Sequence, residues 1–138
     1  MMESQEQADA AVDVTLIRGC VVVAMPQQLQ HDTLSVLRVR ALEAVQSQRA
    51  GAVVVDCGLL RLIDSVEFAD LRETLRACAL LGARPILAGL RPGVVAHLVN
   101  ADVDSSGLET ARNLEDALDR ALLWRRQAGR GASPGAGG

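Results

Sequence analysis

Apolar and polar positions along this chain fall into short uniform runs separated by longer stretches with a helical beat. Residues 14–18 and 20–25 are two strand-like runs with only Gly19 and its neighbour between them, which predicts a tight antiparallel hairpin. The second run, CVVVAM, is apolar at every position, as suits a strand covered on both faces. Asp32 or Thr33 then stands where a helix is capped. Leu34, Leu37, Ala41, Leu42 and Val45 follow at helical spacing, with Arg38, Glu43 and Gln46 on the wet side.

AVVVD over residues 52–56 reads as a strand, and a loop over 57–63 leads to a helix over 65–81. Phe68, Leu71, Leu75 and Cys78 form its buried stripe, and Gly82 ends it. RPILAG (84–89) is a further strand, with Pro85 near its beginning, where a missing N–H is tolerated. Pro92 opens a short helix ending near Asn100, and a brief strand follows at 109–111. Asn113 caps a last helix through Leu114, Ala117, Leu118, Ala121 and Leu122. Glu115 and Asp116 fall in its first turn and Arg125 and Arg126 in its last, as the helix dipole prefers.

A hairpin followed by alternating strands and helices predicts an α/β fold. The expected sheet is mixed and mostly parallel, with about five strands, about four helices and the hairpin at one side. Residues 13–127 are expected to form the one domain. Residues 1–12 read as a flexible polar segment and 128–138 as a flexible Gly-rich tail.

Composition narrows the chemistry. Phe68 and Trp124 are the only aromatic residues in 138, too few for a base-stacking platform, and a net charge of −3 opposes binding to nucleic acid. All 14 cationic side chains are Arg, so neither a Schiff-base lysine nor a phosphate-loop lysine exists, and no GxGxxG occurs. No apolar run approaches the roughly 20 residues of a membrane span. The polar start MMESQEQADAA reads as neither a signal nor a transit peptide. Cys20, Cys57 and Cys78 are odd in number and lack a CxxC pair, and His31 and His97 are the only histidines. Three reduced, buried thiols in a cytoplasmic protein are expected, with no metal and no cofactor.

Two turns at the carboxyl ends of parallel strands are the places where function is expected, residues 56–65 and 89–92. Asp64-Ser-Val-Glu67 has the spacing of a capping box, which puts Ser65 in the first helical turn with its hydroxyl toward solvent. In the plainer alternative Ser65 is itself the cap. A nucleophilic serine needs a base, and neither histidine is spaced to supply one, so no catalytic residue is expected. Asp56 suits a turn cap. Arg61 and Arg91, one in each turn, are suited to a phosphate or a partner carboxylate, or to plain solvation.

The segment from AVVVD to AHLV resembles the heart of a STAS domain. The features that carry the likeness are the strand ending in Asp56, the Ile63-Asp64-Ser65 helix start, Leu81-Gly82-Ala83 before a strand and Gly89-Leu90-Arg91-Pro92 after it. The likeness covers roughly residues 12–125. It is narrower still to the single-domain stressosome scaffolds of the RsbS type and to the C-terminal domains of RsbR-type sensors. The resemblance implies a non-enzymatic stress-signalling scaffold, phosphorylated at Ser65, with Asp64 and Glu67 as the surroundings of the switch. It further implies a serine kinase of the RsbT type and RsbR-like STAS sensors as partners, a homo- or hetero-oligomer, and neither nucleic acid nor membrane. Anti-sigma factor antagonists follow this serine with Ser or Thr and then Gly, where Val66 and Glu67 stand here. Antagonist function is therefore the alternative; a small-molecule or nucleotide-binding α/β protein and a lipid-transport accessory subunit are more remote. A literal Asp-Ser-Ser-Gly at 104–107 follows the third helix instead of the AVVVD strand and reads as a turn. At the second phosphorylated position of RsbR-type relatives, a threonine, this chain has His97.

Overall fold

The computed structural model describes residues 12–131, with side chains through residue 128. Strands β1 (Asp13–Ile17) and β2 (Cys20–Ala24) form the expected hairpin. Its turn residues Arg18 and Gly19 both have positive φ, 51° and 78°, the backbone twist that a two-residue hairpin turn demands. Helix α1 (Thr33–Gln48), β3 (Ala52–Asp56), α2 (Ser65–Leu80), β4 (Arg84–Ala88), α3 (Pro92–Asn100), β5 (Glu109–Ala111) and α4 (Leu114–Gly131) are the other elements of the described residues. The five strands lie in sequence order, with β1 antiparallel at one edge and β2 to β5 parallel. The mixed, mostly parallel α/β architecture, with four helices among the described residues, is as the sequence predicts.

Strand order explains the layering. Crossovers of one hand between strands that step steadily across a sheet place successive helices on the same face. Val21, Val23, Val53, Val55 and Leu87 accordingly join one core with Leu37, Val45, Phe68, Leu75 and Leu98 of α1 to α3. Val22, Val54, Ile86 and Ala88 point the other way, and among the described helices α4 alone covers them, through Ala117, Leu118 and Ala121. With both faces covered, a strand has no solvent side, which is why CVVVA and AVVVD show no polar alternation. Small residues on the α4 side let a single helix lie close to the sheet.

Several expectations need correction. Asp32 holds the N-cap position of α1, but its side chain makes no capping bond. The Thr33 hydroxyl instead accepts the Gln30 N–H at 2.8 Å. The buried stripe of α1 includes Val36, while Leu34 and Leu42 are only half-buried, because the helix is rotated toward α2 and β2. Arg125 and Arg126 are not in the last turn of α4, which continues to Gly131, beyond the domain boundary expected at 127. Arg125 instead donates to the Arg18 carbonyl at 2.9 Å, joining α4 to the hairpin turn. Val12, assigned to the flexible leading segment, is buried and its carbonyl accepts a bond from Arg40. The rest of that segment, 1–11, and the tail from 132 onward lie outside the described residues.

Candidate functional site

Between β3 and α2 the chain alternates between core and solvent. Leu60 and Ile63 are each 1% exposed and pin the loop from below. The Cys57 N–H donates to the Ala88 carbonyl at 2.8 Å and the Arg61 N–H to the Gln27 carbonyl at 3.0 Å, so the loop is tied to both neighbouring connections. With those positions inward, Leu59 and Leu62 are turned out, 57% and 59% exposed.

Helix α2 opens with the predicted capping box. The Asp64 carboxylate accepts the Glu67 N–H at 2.7 Å, and the Glu67 carboxylate accepts the Asp64 N–H at 2.9 Å. Asp64 is therefore the cap and Ser65 is the first helical residue, exposed to solvent. Val66, beside it, is 77% exposed. Phe68 anchors the turn from beneath. The result is a rigid helix start carrying a hydroxyl, two carboxylates and apolar side chains in water.

Asp56 and Arg91 meet on one residue. The Asp56 carboxylate accepts the Gly58 N–H at 3.0 Å, and the Arg91 Nε donates to the Gly58 carbonyl at 3.1 Å. Gly89, at φ +73°, lets the two loops approach; a Cβ there would lie 3.4 Å from Gly58 Cα. Arg91 thus cross-links the turns through its Nε. Arg61 stays exposed on the loop.

The remaining candidates stand apart. His31 lies beside Asp32 at the head of α1, 3.8 Å from its carboxylate, and His97 is in the last turn of α3. No group of three or more His, Cys, Asp or Glu residues suited to a metal ion occurs among the described residues. The three cysteines are free and buried. Burial pushes the Cys57 thiol up to about 12, helped by the Asp56 charge, and the Cys78 thiol up to about 11. Thiols so raised carry almost no nucleophilic thiolate at neutral pH.

One ion pair near the serine escaped sequence reasoning. Arg72 is a charged residue only 9% exposed. Its Nη2 donates to Asp104 Oδ2 at 2.6 Å and to Ser106 Oγ at 3.4 Å. The Asp-Ser-Ser-Gly at 104–107 is a turn, as expected, with Ser106 N–H on Asp104 Oδ1 at 2.9 Å. The two Ser106 bonds, with lesser help from Arg72, hold the Asp104 carboxyl below the usual range. The available signal was positional: Arg72 falls four residues after Phe68 and seven after Ser65, on a face otherwise apolar.

Residues 11–117 match the family model for the STAS domain. The chain is 27% identical over 103 residues to the RsbT co-antagonist protein RsbRA of Bacillus subtilis (strain 168), covering 73% of this chain. It spans only 38% of the length of that relative. Among solved structures it is similar to a variant of RsbS from Moorella thermoacetica, with a TM-score of 0.72 and 25% identity over 83% of this chain and 97% of that one. It is equally similar to a chain of the stressosome, described as a signal integration and transduction hub. There the TM-score is 0.71 and the identity 26%, over 83% of this chain and 99% of that one.

Proposed function

The chain belongs to the STAS domain family, and from that premise we propose that it is a non-enzymatic signalling scaffold that binds a serine kinase of the RsbT type and releases it when Ser65 is phosphorylated. Assembly with RsbR-like sensor proteins, or with further copies of itself, belongs to the same reading. The observation that carries it is the placement of Ser65. It is exposed on the first turn of α2, freed from capping by Asp64, and flanked by the exposed apolar side chains of Leu62 and Val66. Similarity to RsbS and to the stressosome chain supports the scaffold role. RsbRA is by name a co-antagonist of RsbT, which supports the choice of kinase. Val66 and Glu67, in place of the hydroxyl residue and glycine of anti-sigma factor antagonists, favour the scaffold over the antagonist.

The switch follows from electrostatics. Transfer of the γ-phosphoryl group of ATP forms a P–O bond to Ser65 Oγ, breaks the β–γ bridge, and releases ADP and the hydroxyl proton. The new group brings about −1.5 to −2 charges. The helix N-terminus favours an anion by about 0.3–1 kcal/mol, whereas Asp64 and Glu67 each oppose it by about 1 kcal/mol at 4 Å in water. The net is a penalty of about 1–2 kcal/mol per unit charge, small against a typical domain stability of about 5–15 kcal/mol, so the domain survives. Burying an uncompensated phosphate under a partner costs several kcal/mol. At about 1.4 kcal/mol per decade, that loosens the complex a hundredfold or more.

The experiment is to incubate the protein with ATP and an RsbT-type kinase, map the modified peptide, and measure kinase retention. Modification at Ser65 and loss of retention in Ser65→Asp are expected. Modification only elsewhere, or full retention by Ser65→Asp, overturns the reading. Capture of an anti-sigma kinase in place of the RsbT type would establish the antagonist role instead.

A further inference from the structure

We propose that Arg72 is the counter-charge for a phosphoryl group on Ser65, and that in taking it up Arg72 releases Asp104 and frees the loop between α3 and β5. This deepens the reading of Ser65 as a phosphoacceptor and rests on it. Ser65, Phe68, Ala69 and Arg72 line one wall of a cavity of about 240 Å³, and Ala101, Asp102, Val103 and Asp104 line the other. The Arg72 side chain is 10% exposed, and its Nε is buried with no hydrogen-bond partner. A guanidinium is a planar fork built to grip an oxyanion with two parallel N–H donors. Here Nη2 serves Asp104 and Ser106 while the Nε donor is unused.

Residues seven apart lie on the same helix face, about 10.5 Å apart along the axis. Long side chains on a helix lean toward its N-terminus, and Arg72 and Ser65 share the lining of this one cavity. A phosphoryl group offers three strong acceptor oxygens and more charge than a carboxylate. It also repels Asp104, whose side chain is 62% exposed and passes easily into water.

Losing Arg72 removes this polar tie between the loop and α2, because one guanidinium nitrogen holds both Asp104 Oδ2 and Ser106 Oγ; the local Ser106 N–H bond to Asp104 Oδ1 is then no longer anchored to the helix. The loop already carries strain: Asp102, a non-glycine residue, sits at φ 54°. Val103 and Ser105 of this loop help line a second groove of about 690 Å³, with Phe68, Leu98 and Leu108 among its other walls. A charge placed at Ser65 is thereby transmitted to the β5 side of the domain. Pairing with Arg72 does not erase the added charge from the surface either, since the Asp104 carboxylate is exposed in exchange.

The test installs phosphoserine at position 65 by genetic encoding, so that no kinase is involved. In the phosphoprotein the Arg72 Nε–H resonance is expected to move downfield, and exchange of the Ser106 amide to quicken about tenfold once the Asp104–Ser106 turn loses its guanidinium anchor. Asp64, Glu67, Asp102 and Asp104 oppose a dianion at this place, while Arg72, with Arg76 one turn on and Arg61 on the preceding loop, favours it. The second ionisation of the phosphoserine, followed by phosphorus NMR, should therefore lie about one pH unit lower in the wild type than in Arg72→Met. Asp104→Ala should lower it further and, without phosphate, reproduce the faster Ser106 exchange, because both the guanidinium's partner and the amide's acceptor are gone; this variant leaves the α2 core intact should Arg72→Met not fold. Unmoved Arg72 and Ser106 signals in the folded phosphoprotein, or an ionisation indifferent to both substitutions, overturn the proposal. Failure of a kinase to modify Ser65 overturns the functional reading and leaves these measurements standing.

Discussion

Helices α2 and α3 follow adjacent parallel strands, yet their N-termini are made by opposite means. The start of α2 is held by its own side chains, through the reciprocal Asp64–Glu67 bonds. The start of α3 has Pro92 at its first position and no side-chain cap; its N-cap residue, Arg91, bonds across to Gly58. A helix capped by a neighbouring carboxylate leaves the adjacent serine free for another purpose. A helix started by proline needs no such device, and its flanking arginine becomes a brace between loops. Of two similar positions at the carboxyl ends of the strands, one presents an exposed hydroxyl and the other supports the loop in front of it.

The sharpest way to break this comparison is to remove what each helix start rests on. Phe68→Ala should cost about 3–5 kcal/mol in chemical denaturation, and Val94→Ala about 2 kcal/mol, because Phe68 is 4% exposed and Val94 3%. Equal losses would mean that the two starts are anchored alike. Gly89→Ala, which forces a side chain into the left-handed region at the loop crossing, should cost about 1–2 kcal/mol. Asp64→Ala should cost about 0.5–2 kcal/mol, whereas Ser65→Ala should stay within about 0.5 kcal/mol. The reverse order would make Ser65 the true cap. Arg91→Ala removes one exposed bond and should cost under about 1 kcal/mol.

The smallest effect is acid sensitivity of the 104–107 turn. Asp104 is held below its ordinary value of 3.8 in the folded chain. Its contribution is therefore complete above that value and is lost as pH falls through the lower folded one. The Ser106 amide should accordingly keep its chemical shift down to pH 4 and move only in stronger acid. Movement centred above the ordinary carboxylate value would show that Asp104 is not stabilised as an anion.

Much of this was legible in one dimension. The β3 run AVVVD and the Pro92 start matched because local rules, apolar continuity and a fixed φ, decide them without help from distant residues. The α2 capping box matched for the same reason, since its partners are three residues apart. The miss at α1 arose because a helix of weak amphipathicity is rotated by what it packs against, and Val36 belongs to the core that α1 shares with α2 and the sheet.

What the sequence by itself determined is the order of the elements, the continuous apolar strands and the residue that opens α2, all set by interactions spanning a few positions. Only the tertiary structure decided that Arg91 and Asp56 meet on Gly58, and that Arg72 reaches Asp104, 32 positions further along the chain. Such contacts depend on where the chain returns after each crossover. The physical reason is that a guanidinium binds whichever oxygen the folded backbone brings to it, and spacing along the chain carries no record of that meeting.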